Sequence, residues 1–271
     1  MPNEGTPTAL WCGMVVVPVR SELLGSPGCR LTATVAAAHS GGNSRKTAAI
    51  LLESADDPGT PWILAGRCLF QASRCLLESG DPVGAQRLLH RALRHSSSAE
   101  ACSGFTPLMR TPEWLVLAAG MLAAGDPTAA IDWWRMAAGS LAARDFLSYG
   151  DSEAGIRGDL YAVQAGIQLQ LGQSREALDA LRMAYQLHHA GGEVVSAASD
   201  LLLMSRCELE LRRIDDSRES LRLLEVLVAD DLRRFCTDRG RCIRAQGRIH
   251  DNLLQRMVAH PTETLPPALW N

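Results

Sequence analysis

The stretch LLESGDPVGAQRLLHRAL, residues 76–93, decides the fold. Its skeleton is a helix closed by Gly80, a short turn, Ala85 five residues after the glycine, then Leu89 and Ala92 four and seven residues beyond that alanine. The same skeleton returns in LAAGDPTAAIDWWRMAA, residues 122–138, as Gly125, Ala130, Trp134 and Ala137. It returns again in LQLGQSREALDALRMAY, residues 169–185, as Gly172, Ala177, Leu181 and Ala184. A small residue also stands seven places before each glycine: Ser73, Ala118 and Ala165. Small side chains at a crossing let two antiparallel helices approach closely, and the bulky residue one turn later fills the gap to the next pair. Glycine suits the position that closes a helix in the left-handed conformation. Asp81-Pro82 and Asp126-Pro127 then supply an N-cap and a first-turn proline for the following helix, with Ser174 as the expected cap of the third.

Residues outside these three matches extend the pattern. A degraded fourth pair is expected from a helix over 196–211 and a second helix opened by Asp215-Asp216-Ser217, with Arg212 where glycine should stand and Ser217 in the alanine slot. Lys46–Ser54 reads as a short leading helix, and Asp230–Val258 as one long amphipathic helix with Phe235, Cys242, Ile249 and Leu253 on its apolar face. Ser96–Pro112, carrying Gly104 and Pro107, reads as a loop.

The Gly, Ala, bulky, Ala skeleton over about residues 61–230 resembles the tetratricopeptide repeat family. The glycines are 125 − 80 = 45 and 172 − 125 = 47 residues apart, longer than the family's ~34. The resemblance implies an all-α chain, a right-handed α-α solenoid of helical hairpins with a C-terminal capping helix. The domain plan that follows is a poorly ordered tail over 1–44, the solenoid over 45–258 and a C-terminal tail over 259–271. Trp62 with Arg67-Cys68, and the later Ser199-Asp200-Leu201 and Arg206-Cys207-Glu208, are similar in order to the forty-kilodalton huntingtin-associated protein family. That resemblance implies a huntingtin-like solenoid as protein partner and an adaptor role in vesicle traffic. Soluble adaptors of membrane-fusion machinery share the helix-pair layout.

Composition narrows the function classes. The 271 residues are 46% hydrophobic but only 5% aromatic, which disfavours an all-β domain. A net charge of −3 disfavours a globally basic nucleic-acid binder, and no apolar run reaches the length of a membrane span. Lys46 is the single lysine among 27 basic residues, so surface cations are forked guanidiniums. The apolar stretch 9–19 lacks a basic flank before it, and Glu4 and Glu22 interrupt any presequence helix, so a cytoplasmic protein is expected. The eight cysteines form no CxxC pair, which suits reduced thiols, with Cys68 and Cys75 on one helix face. Cys236 and Cys242 with His250 and His260 match no common zinc spacing, so no metal and no cofactor are expected.

No GxSxG, P-loop, GxGxxG or HExxH is present, and the chain reads as a non-enzyme. His188-His189 reads as a solvated helix terminus, since adjacent helical side chains point about 100° apart. Recognition surfaces remain. In tetratricopeptide proteins the first helix of each pair lines a groove, which on this chain implicates Arg67, Phe70, Arg74, Leu77, Leu115, Leu122, Leu202 and Arg206. The apolar members would bury area against a partner protein and the arginines would orient it, unless the chain's own terminal helix covers that face. Trp134 takes the inter-repeat core position, and Trp133 either packs on a neighbouring pair or serves as a binding anchor. Arg233, Arg234, Arg241, Arg244 and Arg248 share one helical arc, a solvated face or else a stripe for an anionic partner such as nucleic acid or membrane phosphate. A non-catalytic scaffold or adaptor is the leading expectation and the anionic-ligand regulator its alternative.

Overall fold

The turns at Gly125, Gly172, Gly192 and Arg212 are built the same way, while Gly80 lies outside the described residues. Gly125, Gly172 and Gly192 have φ of 78°, 73° and 71°, and Arg212 has φ of 59°. At Gly172 the amide donates to the Leu169 carbonyl at 3.1 Å and the next amide, Gln173, to the Gln168 carbonyl at 2.8 Å. The same paired bonds recur after Gly125, Gly192 and Arg212, satisfying carbonyls that the ending helix would otherwise leave open. Five residues after each left-handed residue comes Ala130, Ala177, Ala197 or Ser217, all fully buried. The signature therefore marks turns between hairpins as well as within them, since Gly192–Ala197 joins two pairs.

The structure, a computed structural model, describes residues 43–60, 62–79, 81–103, 111–123, 125–142, 153–232 and 238–260. Its described residues are all-helical, without strands: α1 Ser44–Asp56, α2 Trp62–Glu78, α3 Pro82–Ser103, α4 Thr111–Ala123, α5 Pro127–Ala142, α6 Glu153–Gln170, α7 Ser174–Ala190, α8 Val194–Glu210, α9 Ile214–Asp230 and α10 Asp238–Ala259. Successive helices pack on one another through most of the chain, with further contacts of α2 on α4, α4 on α6, and α8 on α10. The expected caps hold at Asp81 and Asp126, whose carboxylates accept from the Gly84 and Ala129 amides at 2.8 and 2.9 Å. Ser174 does not cap α7. It is already the first helical residue, and its hydroxyl donates to Glu210 on α8 instead. Nor do Asp215 and Asp216 cap α9. Arg213 holds that position, and the two acids sit in the first turn, where they oppose the helix dipole.

Two expected boundaries shift, and one expected face turns. Residues 96–103 of the expected loop are helical in α3, while 104–110 lie outside the described residues. Asp230 ends α9 rather than starting the last helix, which begins at Asp238. On α10 the buried face is Ile243, His250, Leu253, Leu254 and Met257, so Ile249, at 40% exposure, lies off it. Phe235 lies outside the described residues, as do 1–42 and 261–271.

Two apolar cores result. One gathers α1 to α5 around Leu51, Leu69, Leu89, Leu115 and Leu117, and the other gathers α7 to α10 around Leu178, Leu181, Leu201 and Leu253. Helix α6 serves both, giving Ile156, Val163 and Ile167 to the first and Ala165 and Leu169 to the second. Cross-links reinforce the junctions: the Trp134 indole N–H donates to the Leu160 carbonyl at 3.0 Å, and Trp133 stacks on Trp114 with ring centroids 5.4 Å apart. Trp133 thus packs against the preceding helix.

Candidate functional site

Six of the eight residues expected to line a groove are covered by the chain itself. Phe70, Leu115, Leu122 and Leu202 are buried in the two cores. Arg74 is 2% exposed and donates to Gln71 Oε1 at 3.2 Å, and Arg206 is 7% exposed and pairs with Glu210 at 3.0 Å. Arg67 and Leu77 belong to α2, but their side chains lie outside the described residues. The physical reason is packing on several sides: α2 meets α1, α3 and α4, so its apolar face is consumed by neighbours. Leu202 shares its core with Leu253, Leu254 and Met257 of α10.

Among the described residues an open cleft lies elsewhere, between α9 and α10. Leu221, Leu224 and Val228 recur at helical spacing on α9 and form an apolar floor with Ala229 and Leu232. Gly247 lets α10 approach, since a Cβ there would stand 3.2 Å from Leu224 Cδ2. The two helices leave a cleft of about 540 Å³. Its rim carries Arg244 and Arg248 from the expected arginine stripe, with Glu225, Asp251 and Asn252 beside them. Arg241 is also exposed on α10, whereas Arg233 and Arg234 lie outside the described residues. Cations and carboxylates both line the cleft with its apolar floor, so it can take apolar side chains flanked by charges of both signs. A polyanion would meet Glu225 and Asp251 as well as the arginines.

A second site is buried, and the sequence hid it. His188 is 1% exposed at the end of α7, not solvated as expected, whereas its neighbour His189 is exposed and stacks on Tyr185. The His188 ring lies against the α6 backbone at Gly158, where a Cβ would come within 2.4 Å of Cδ2. Its Nδ1 contacts Asp200 Oδ2 of α8 at 2.6 Å and its Nε2 contacts Asp159 Oδ1 of α6 at 3.3 Å. Burial works to lower its pKa, but the Asp200 and Asp159 carboxylates prevail and push it up to about 10. Glu193, half-buried on the turn into α8, brings its carboxylate close enough that one donor atom each from Asp159, His188 and Glu193 lie within 4.8 Å of one another.

Helix α8 carries further buried polarity. Ser205 bonds Ser217 at 2.9 Å, and the Ser220 hydroxyl donates to Glu208 at 2.8 Å. Burial raises the Glu208 carboxyl despite that bond, and it raises the Cys207 thiol well above its ordinary range, leaving it an inert core group. No helix of the described residues is long and apolar enough to cross a membrane. No protein-family model, curated protein or solved structure matches the chain.

Proposed function

We propose that this chain is a non-catalytic scaffold, a tetratricopeptide-like solenoid in which α10 caps the last hairpin and a partner protein docks beside that cap. The α9–α10 cleft carries the reading: it combines an apolar floor with a rim of mixed charge, a combination suited to an amphipathic helix. The docking surface is thus the exposed seam of the final pair rather than the groove face of the first helices. The carboxylates Glu225 and Asp251 in the same lining favour a protein over nucleic acid or membrane phosphate, because a polyanion drawn to Arg244 and Arg248 enters a cleft that also carries like charge. The resemblance to the huntingtin-associated family suggests a huntingtin-like solenoid as partner, in the cytoplasm.

Capture from a cytosolic lysate at low and high salt, with the full chain as bait, tests this. Leu232 is 54% exposed, so Leu232→Glu can be made without opening the core. A stoichiometric protein retained at high salt by the wild type and lost with Leu232→Glu is the expected outcome. Retention of nucleic acid or acidic material alone, released by salt and by Arg244→Glu with Arg248→Glu, would instead make the arginine stripe the site. Capture unchanged by both variants removes the cleft from consideration.

A further inference from the structure

Three consecutive helices and the turn between the last two bring one imidazole and three carboxylates together: Asp159 from α6, His188 from α7, Glu193 from the α7–α8 turn and Asp200 from α8. We propose that Asp159, His188 and Glu193 bind a divalent first-row transition cation, with Asp200 orienting the histidine from behind.

The geometry around the ring supports it. The Nδ1–Asp200 contact of 2.6 Å is the arrangement in which a metal-bound histidine is held by a carboxylate on its far nitrogen, directing Nε2 forward. Forward of Nε2 stands Asp159 Oδ1 at 3.3 Å. Neighbouring donors around a tetrahedral ion with bonds of about 2.0–2.1 Å are themselves about 3.3 Å apart, so this pair is already at ligand spacing. The ring is also seated in a cradle made only by the missing side chain of Gly158, because a Cβ there would approach Nε2 to 2.5 Å. Asp159 and His188 are buried and Glu193 is half-buried, so the site opens on the Glu193 side, where a rotation of that side chain would complete the donor set.

The donors choose the ion. One imidazole nitrogen and two carboxylate oxygens, without thiolate, suit zinc or manganese rather than a soft monovalent ion. Binding exchanges charge in a balanced step: the cation takes the Nε2 lone pair, the Nε2 proton leaves to solvent, and the carboxylates contribute lone pairs without change of oxidation state. The bound ion would tie α6, α7 and α8 together where the two apolar cores meet. This inference stands apart from the docking cleft and survives its failure.

The test uses the full chain after chelator treatment, titrated calorimetrically with Zn²⁺ and separately with Mn²⁺, and with Co²⁺ followed by visible absorption. Saturable one-to-one binding of at least one of these ions is expected, together with a rise in melting temperature. Glu193→Gln changes a half-buried turn residue and should leave the metal-free melting temperature nearly unchanged while abolishing most of the metal-induced rise. Asp200→Asn should weaken affinity by roughly 10–100-fold, the usual cost of losing such an outer carboxylate. No saturable uptake of any of the three ions by the folded wild type, or equal affinity in the wild type and Glu193→Gln, overturns the proposal.

Discussion

At the residue scale, Arg212 shows how far the repeat has drifted without changing shape. It occupies the left-handed position with φ of 59°, where the equivalent turns use Gly125, Gly172 and Gly192. A side chain in that conformation costs about 1–2 kcal/mol, and glycine returns part of this through its greater freedom in the unfolded chain. Arg212→Gly is therefore expected to stabilise the protein by up to about 1 kcal/mol, read as a higher urea midpoint with an unchanged slope. A lower midpoint would mean that the guanidinium's own contacts outweigh the backbone strain. The sequence made this position legible, because Ser217 and Leu221 keep the spacing after Arg212 that Ala177 and Leu181 keep after Gly172. It did not make His188 legible. That burial depends on Asp159, 29 residues earlier, and Asp200, 12 residues later, meeting on one ring. A helical wheel of α7 alone carries no trace of either.

At the element scale, a glycine inside a helix means different things according to what the neighbouring helix places beside it. Gly139 lies exposed on α5, and a Cβ there meets nothing within 4 Å, whereas a Cβ at Gly158 on α6 would stand 2.4 Å from the His188 ring. Gly139→Ala should raise stability by roughly 0.5–1 kcal/mol through helix propensity alone. The same change at 158 must displace an imidazole held by two carboxylates and should lower stability by at least about 2 kcal/mol, since overpacking and a disrupted buried ion pair act together. Urea midpoints moving in opposite directions would establish the distinction, and a gain at both sites would refute the cradle. The same dependence on neighbours explains the misplaced groove. Periodicity identifies the apolar face of α2, α4 and α8 correctly as Phe70, Leu115, Leu122 and Leu202, but it cannot tell a face open to a partner from one already covered. The arginines of α10 were easier to place, because Arg241, Arg244 and Arg248 share an arc opposite the buried Ile243, His250, Leu254 and Met257.

At the scale of the whole molecule, two apolar cores joined through α6 can respond unequally to the same perturbation, and acid is the perturbation that separates them. His250 is 1% exposed on the face of α10 that gives Leu253, Leu254 and Met257 to the second core. Burial, aided by the nearby Arg206 guanidinium, pushes its pKa down to about 3. An unfolded histidine titrates near 6.5, so below that pH the unfolded chain takes up a proton that the folded chain refuses until about pH 3. Stability from this group is therefore complete above pH 6.5 and is lost as pH falls through the window down to about 3. Within the window one proton's difference corresponds to about 1.4 kcal/mol per pH unit. His250→Gln removes the titration, so wild type should lose about that much more stability per unit than the variant between pH 6 and 4, and the two should run parallel above pH 7. Hydrogen exchange at pH 5 should find α8 and α10 opening while α2 and α4, in the other core, keep their protection. Equal loss of protection in both cores, with a difference between wild type and variant still present, would mean that α6 couples them into one cooperative unit. Parallel pH profiles throughout would mean that His250 takes up its proton without unfolding anything.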